Sequence, residues 1–475
     1  MLTGTEMGVV DENAAALGVP RKQLMESSGN AVAQAVRDQA DPGDGVTIVA
    51  GRGNNGGDAL VAARFLDEFD LRILLLGRPE TITTDIAREN WDALQSAEYA
   101  TEQVRDASDV SLSDPAVVVD AMLGTGISGA LREPEATTAS AMNDGDAPVL
   151  SVDVPSGLDA EDGTLADNAV HADHVVTFHD TKPGLPELDA EVTVADIGIP
   201  DAAELFVERG DLTRLSRASD AHKGDSGEVL VVGGGPYTGA PALSAQAALR
   251  GGADLVRVAA PESVAREIQG YTENLIVREY EADVLGPEQV DWLSDLADGH
   301  DTVVLGPGMG DADETLSAVE EFLGDYEGTA VVDADPLAVV PDIETDAELV
   351  CTPHQGELQK MGGETSDDWR ERADLVESFA ADIGHTLLVK GAYDVITDGE
   401  ETRINRTGNP GMTVGGTGDV LAGVTGALTC VQEPRHAAAI AAYAVGDAGD
   451  SVVDERGYGL VATDLLGEVP PALWR

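Results

Sequence analysis

Apolar residues along this chain follow two alternating habits. Short, nearly continuous runs of Val, Ile and Leu give way to longer, alanine-rich segments with apolar positions at helical spacing. The runs Val46–Ala50, Leu71–Leu76, Ala116–Asp120, Val149–Val154 and His174–Phe178 predict parallel strands, because a strand covered on both faces has no polar alternation. Asp58–Phe69, between the first two, predicts a helix, which makes a strand–loop–helix–strand unit of a doubly wound sheet. The rhythm breaks in the charged stretch from Asp201 to Asp220 and then restarts. Glu228–Val232 and Leu255–Val258 predict strands around a helix at Ala242–Arg250, with further strands at Thr302–Leu305, Ala330–Val332 and Thr386–Val389. An α/β chain of two domains follows, residues 1–213 and 214–475.

Charge narrows the partners. The 475 residues carry 28 basic and 88 acidic side chains, a formal net charge of −60. Such a surface repels phosphate backbones and anionic bilayers, so neither nucleic acid nor membrane is expected as a partner. With 43% hydrophobic residues the chain still has material for real cores. Only five basic residues are lysine, namely Lys22, Lys182, Lys223, Lys360 and Lys390. An acidic, lysine-poor chain suits concentrated salt, where at ~1 M the Debye length is about 3 Å and self-repulsion is screened. A halophilic, salt-accumulating host is the expectation. Cys351 and Cys430 lie far apart, which excludes a disulfide framework or thiolate zinc site. The N-terminus lacks a basic patch before an apolar run, and no apolar stretch approaches ~18 residues, so a cytoplasmic protein is expected.

The candidate chemistry of the first half sits at strand ends. Gly51-Arg52-Gly53-Asn54-Asn55-Gly56-Gly57-Asp58 follows a strand and opens a helix, aiming backbone N–H groups at a phosphate. The acidic ribose ligand of ordinary dinucleotide folds is missing, because the next strand ends Leu76-Gly77-Arg78. Two amides and a carboxylate at a strand tip can instead grip a nucleotide or a cation. Asp120 before a glycine-rich turn, Asp153 and Ser156 in Ser-Val-Asp-Val-Pro-Ser-Gly, and Lys182 in Lys-Pro-Gly mark three further tips. Ligands of doubly wound sheets lie outside these ends, so the loops should converge.

Together with Asp-Ile-Gly-Ile-Pro at 196–200, these motifs resemble the NAD(P)H-hydrate epimerase family over nearly all of residues 1–200. The resemblance implies a Rossmann-like domain that interconverts the epimers of NADHX and NADPHX, cofactors hydrated at carbon six of the nicotinamide ring. It implies substrate contacts at Asn54, Asn55, Gly56, Gly57 and Asp58, and at Gly124, Thr125, Gly126, Ile127, Ser128, Gly129 and Ala130. Asp153 is implied as substrate contact and candidate acid/base, with Lys182 as a site neighbour, and Asn55, Asp120 and Ser156 as potassium ligands.

In the second half, Gly408-Asn-Pro-Gly-Met-Thr-Val-Gly-Gly-Thr-Gly-Asp419 precedes an apolar, small-residue helix. Glycines before a helix N-terminus make an anion hole for a transferring phosphoryl group, and an aspartate at the helix start can take the proton of an attacking hydroxyl. No Walker-type Gly-Lys-Ser/Thr is present. Leu305–Gly310, Thr352–Glu357 and Leu388–Ala392 supply supporting loops. These motifs resemble the ADP/ATP-dependent NAD(P)H-hydrate dehydratase, of the ribokinase-like superfamily, from about His222 onward. Both halves together are similar to the bifunctional NAD(P)H-hydrate repair family, which implies two three-layer α/β domains. Implied roles are Asp419 as base, Gly415, Gly416 and Gly418 at the transferring phosphate, and Lys390, Gly391, Ala392, Tyr393, Asp394 and Gly418 on the nucleotide. Ala240, Gly310 and His354 would contact the hydrate, with magnesium on the phosphates of ADP or ATP. A homo-oligomer is expected. Gln355 and the pair Tyr393-Asp394 depart from the family pattern. The rival expectations are a ribokinase-like small-molecule kinase, and a first domain that only binds or scaffolds.

Overall fold

The computed structural model describes residues 1–126 and 129–474. The chain divides into two compact units, Met1–Ala203 and Glu204–Arg475. This division precedes the expected boundary at 213/214. Val207 N–H donates to Ile404 O at 3.0 Å and Arg403 pairs with Asp211 at 2.9 Å, which ties the charged stretch to the second unit.

The first unit holds seven parallel strands: β1 (Gly45–Ala50), β2 (Asp70–Leu76), β3 (Thr101–Val104), β4 (Val117–Ala121), β5 (Val149–Val152), β6 (His174–Phe178) and β7 (Glu191–Ala195). Their spatial order is β3-β2-β1-β4-β5-β6-β7, so the chain reverses direction across the sheet between β1 and β4. Alternate residues bury opposite faces. Val46, Ile48 and Ala50 pack with helices Gly4–Ala16, Arg21–Arg37 and Asn54–Arg64, whereas Val49 packs with Val118 and Met142. Register sets Val49 beside Asp120 and Asp120 beside Ser151. The expected helix Asp58–Phe69 is instead Asn54–Arg64, since the Asn-Asn-Gly-Gly segment is already helical. That start is compact: a Cβ at Gly56 would lie 2.2 Å from Gly51 O. Strand β5 stops at Val152 rather than Val154 because Asp153 takes φ +65°.

The second unit holds nine strands: β8 (Glu228–Val232), β9 (Leu255–Pro261), β10 (Ile276–Tyr280), β11 (Thr302–Leu305), β12 (Thr329–Val332), β13 (Glu348–Cys351), β14 (Thr386–Val389), β15 (Asp394–Thr397) and β16 (Thr402–Asn405). The order is β10-β9-β8-β11-β12-β13-β14-β15-β16, with β14, β15 and β16 antiparallel. Val229, Val231 and Val304 pack with helices Gly239–Gly251, Thr417–Leu428 and Pro434–Arg456 on one face. Leu230, Val303 and Leu305 pack with helices Asp313–Asp325 and Trp369–Ile383 on the other. Both units are therefore three-layer α/β/α structures. Among the described residues no helix is long and apolar enough to cross a membrane.

Candidate active sites

In the first unit, the tips of β1, β4, β5 and β6 border a cavity of about 790 Å³. The Asn55 amide donates to Leu123 O at 2.9 Å and Val152 O at 2.8 Å, pinning the helix start to the neighbouring strand tips. Asp120 is wholly buried and accepts from Ser151 Oγ (2.9 Å), Ser156 N (2.9 Å), Ser156 Oγ (2.6 Å) and Met122 N (3.2 Å). Burial pushes its carboxyl upward despite these donors, and among the described residues no cation pairs with it. Ser156 Oγ also accepts from Leu123 N at 3.0 Å. Asn55, Asp120 and Ser156 thus meet around one loop, bringing hard oxygen donors beside an uncompensated buried carboxylate. That donor set fits an alkali cation.

Asp153 follows β5. Its Oδ1 accepts from Thr177 Oγ1 at 3.0 Å and pairs with Lys182 Nζ at 3.1 Å. Lys182 is 1% exposed and also donates to Phe178 O (2.9 Å) and Asp180 O (3.0 Å). All three ammonium protons are therefore committed, and the charge stays beside Asp153. Asp58 and Asp11 line the same cavity. Burial pushes Asp58 well above the usual carboxylate range, with the charges of Asp153 and Asp11 adding. Burial also raises Asp11 to about 6, against the opposing charge of Arg21.

Of the expected contacts, Asn54, Asn55, Asp58, Gly124, Thr125, Gly126 and Asp153 border the cavity. Gly56 and Gly57 are buried in backbone packing against Gly51 and Met25. Ile127 and Ser128 lie outside the described residues, with Gly129 and Ala130 following them.

In the second unit, the helix Thr417–Leu428 begins after Gly415 and Gly416, the latter at φ +97°. Asp419 lies in its first turn. Burial pushes its carboxyl up to about 7, Asp333 adding and Lys390 opposing. Lys390, just past β14, places Nζ 2.9 Å from Asp333 Oδ1 and 3.9 Å from Glu357 Oε2. Thr352 Oγ1 donates to the same Asp333 oxygen at 2.8 Å. A Cβ at Gly418 would lie 3.3 Å from Lys390 Nζ, so the ammonium rests against the helix start. The tips of β12, β13 and β14 thereby converge on one N-terminus.

His354 and Lys390 form a backbone bridge. The His354 ring caps the next helix, Nδ1 accepting from Gly356 N (2.9 Å) and Glu357 N (3.1 Å), and its side chain is 60% exposed. Gln355 is the first residue of that helix and accepts from Thr365 Oγ1 at 2.9 Å, leaving the cap intact. The Asp394 carboxylate closes its own turn, accepting from Gly391 N and Asn405 Nδ2, each at 2.8 Å. Tyr393 stacks on Trp369, ring centroids 5.1 Å apart. Ala240 is the second residue of the helix after β8, and a Cβ on Gly308 would sit 3.2 Å from its own Cβ, so this helix start and the loop after β11 touch. Gly310 lies on the same β11 loop, where its own Cβ would meet Pro236 at 3.1 Å. Asp11 and Asp333 belong to no motif of the sequence, and Glu357 enters there only as the end of a supporting loop. For Asp333 a cue existed, a carboxylate directly after the apolar run Ala330–Val332.

A Rossmann-like unit with a carboxyl-lined cavity at its strand tips, followed by a unit with a glycine-rich helix start, a buried carboxyl and a lysine, defines a two-domain α/β enzyme of nucleotide chemistry. The family model for NAD(P)H-hydrate dehydratase matches residues 229–471, and that for the YjeF-related protein N-terminus matches 21–184. The chain is 42% identical over 491 residues to the bifunctional NAD(P)H-hydrate repair enzyme Nnr of Methanothermobacter thermautotrophicus, covering 98% of this chain and 94% of that one. It is 41% identical over 478 residues to the enzyme of the same name from Archaeoglobus fulgidus, covering 100% and 98%. The chain belongs to the family of bifunctional NAD(P)H-hydrate repair enzymes. Among solved structures, the ADP/ATP-dependent NAD(P)H-hydrate dehydratase of Bacillus subtilis co-crystallized with ATP and Mg²⁺ aligns with TM-score 0.51 at 25% identity, covering 57% of this chain and 97% of that one. A ribokinase-like superfamily protein from Enterococcus faecalis, TM-score 0.50 at 23% identity over 57% and 95%, shares the second unit's fold.

Proposed function

We propose that the first unit epimerises the two forms of NADHX and NADPHX, and that the second dehydrates the competent epimer to NADH or NADPH at the expense of ADP or ATP. The observation that carries the reading is the second site's composition: a carboxyl near 7 in the first turn of a glycine-led helix, beside a lysine held by Asp333. Backbone N–H groups from Gly415 to Gly418 receive the transferring phosphate, where helix-end charge is favourable to an anion. Lys390, Gly391 and Ala392 approach the nucleotide from the β14 tip, with Tyr393 and Asp394 holding that turn. Ionised Asp419 takes the proton of the ring hydroxyl as its oxygen attacks phosphorus. Loss of phosphate from carbon six, with a proton from carbon five, restores the dihydronicotinamide. Ala240, Gly310 and His354 would border the hydrate.

Among the described residues no group of three or more His, Cys, Asp or Glu is arranged to hold a metal ion. Magnesium would be held chiefly by the nucleotide phosphates, whose charge it would neutralise. In the first unit, Asn55, Asp120 and Ser156 would hold potassium, which would offset the buried carboxylate. Asp153, kept beside Lys182, would exchange protons with the ring hydroxyl, while Asn54, Asp58 and residues 124–130 position the substrate. The domains would act as a cytoplasmic homo-oligomer in a salt-rich cell.

The test starts from a mixture of NADHX epimers in concentrated potassium chloride with magnesium, adding ADP or ATP separately. Complete nucleotide-dependent recovery of dihydronicotinamide absorbance is expected. Recovery that stalls with one epimer left would remove the epimerase assignment, and a stable phosphate ester as product would replace dehydration with a kinase.

A further inference from the structure

We propose that Asp11 is a second catalytic carboxyl of the first unit, the proton donor that works with Asp153 in epimerisation. This rests on reading the first-unit cavity as the epimerisation site. Asp11 comes from helix Gly4–Ala16, whose start is fixed beside the glycine-rich loop and the segment after β6. Leu2 N–H donates to Thr181 O at 3.0 Å, and a Cβ at Gly4 would lie 3.2 Å from Thr125 Cβ. The cavity is thus bordered by Asp11 from a helix and by Asp153 from a strand tip.

The two carboxyls are provided for in opposite ways. Asp153 has a buried ammonium at 3.1 Å and a hydroxyl donor at 3.0 Å. Among the described residues the Asp11 carboxyl receives no hydrogen bond and no ion pair. The nearby guanidinium of Arg21 is engaged with Glu12 at 2.9 Å. The charged groups that act on Asp11 are Arg21, Lys182, Asp153 and Glu12, with Asp58 sharing the cavity, and burial dominates them all. A half-buried carboxyl without a donor, midway along a helix, is a local cost that a ligand group would relieve. Facing the cavity with no donor upon it, opposite a carboxyl already held by Lys182, it is placed to serve as the acid of the pair, and burial moves it toward the protonated form.

Such an asymmetric pair suits ring opening of the hydrate. Asp153 takes the hydroxyl proton, the carbon–oxygen bond becomes a carbonyl, and the bond from carbon six to the ring nitrogen breaks. Its electron pair goes to nitrogen, which takes the proton of Asp11. Rotation about the bond from carbon five to carbon six presents the other carbonyl face. Reclosure then returns one proton to Asp11 and passes the other from Asp153 to oxygen. Each carboxyl ends the cycle as it began, so Lys182 can remain fixed.

The experiment uses the full chain in concentrated potassium chloride without nucleotide, starting from one NADHX epimer and corrected for spontaneous exchange. Asp11→Asn is expected to slow kcat by about 100-fold or more with KM changed less than about threefold, and Asp11→Glu to restore part of the rate. The wild-type rate should fall as pH rises past the Asp11 titration, and Asp11→Asn should lack that limb. Early product formed in ¹⁸O-water should keep its original oxygen. Exchange by Asp11→Asn within threefold of wild type, while Asp153→Asn has lost it, would overturn the proposal. Equal losses of rate and melting temperature in both Asp11 variants would do the same, as would one ¹⁸O gained per inversion. Wild-type exchange by Asp153→Asn would instead sink the reading of the cavity itself.

Discussion

Asp419 should make the second unit less stable than it need be. Burial raises its carboxyl from 3.8 to about 7. The unfolded chain releases this proton near pH 4 while the folded chain keeps it until about 7, so wild-type stability declines across that window and levels off above it. About three pH units at 1.36 kcal/mol each set a ceiling of about 4 kcal/mol, and partial water access to the side chain reduces the expectation to about 2 kcal/mol. Asp419→Asn removes the titration. In concentrated potassium chloride its second-unit melting transition should match wild type at pH 4 and exceed it at pH 8 by several degrees. Dehydration of the competent epimer should meanwhile fall by at least about 100-fold. Equal melting temperatures at pH 8, or a variant that keeps more than a tenth of the dehydratase rate, would refute the reasoning.

Four further outcomes follow from the same geometry. Asp333→Asn removes a charge that raises Asp419, so the acid limb of dehydratase kcat should move to lower pH, while nucleotide KM rises as Lys390 loses its partner; a limb unmoved in the rate–pH profile would count against this network. Gly423→Ala would place a Cβ 2.0 Å from Ser244 O between two packed helices, and calorimetry should show the second unit destabilised by about 3 kcal/mol or more, the first unit melting as before. Asp120→Asn replaces a buried acceptor of four hydrogen bonds with an amide, so the first unit should lose about 2–4 kcal/mol, and its melting temperature should no longer distinguish potassium from sodium. Circular dichroism across a potassium chloride series should show folded structure weakening in dilute buffer, and full structure without salt would remove the case for salt adaptation.

The alternation of apolar runs located most of the inner strands, because these are buried on both faces and hydrophobicity is continuous along them, whereas the largely exposed strands β3, β7 and β10 carry no such run and do not register. It failed where backbone conformation rather than burial decides. The helix begins at Asn54 because the Asn-Asn-Gly-Gly segment is wound already, and glycines that signal a loop by composition serve close packing there. The β15–β16 pair carried a turn cue in Asp398-Gly399, although its four-residue strands are too short for periodicity to register. Asp120, Asp153 and Asp419 were legible because each stands at an element's end next to distinctive glycines. Asp333 and Glu357 reach Lys390 only once three strand tips lie side by side, a relation absent from local spacing. Asp11 sits mid-helix, where a carboxylate ordinarily means an exposed face.

The left-handed turn at Asp153 has a practical consequence for anyone disabling the first site. Its φ of +65° is one that Asp and Asn adopt far more readily than other side-chain-bearing residues. Asp153→Ala therefore deletes the carboxylate and also strains the main chain by roughly 1 kcal/mol, with relief available through movement of the strand tip. Ser156, whose amide and hydroxyl both hold Asp120, rides on that tip. An alanine variant would confound loss of proton transfer with damage to the cation set, whereas asparagine changes the chemistry and leaves the scaffold in place.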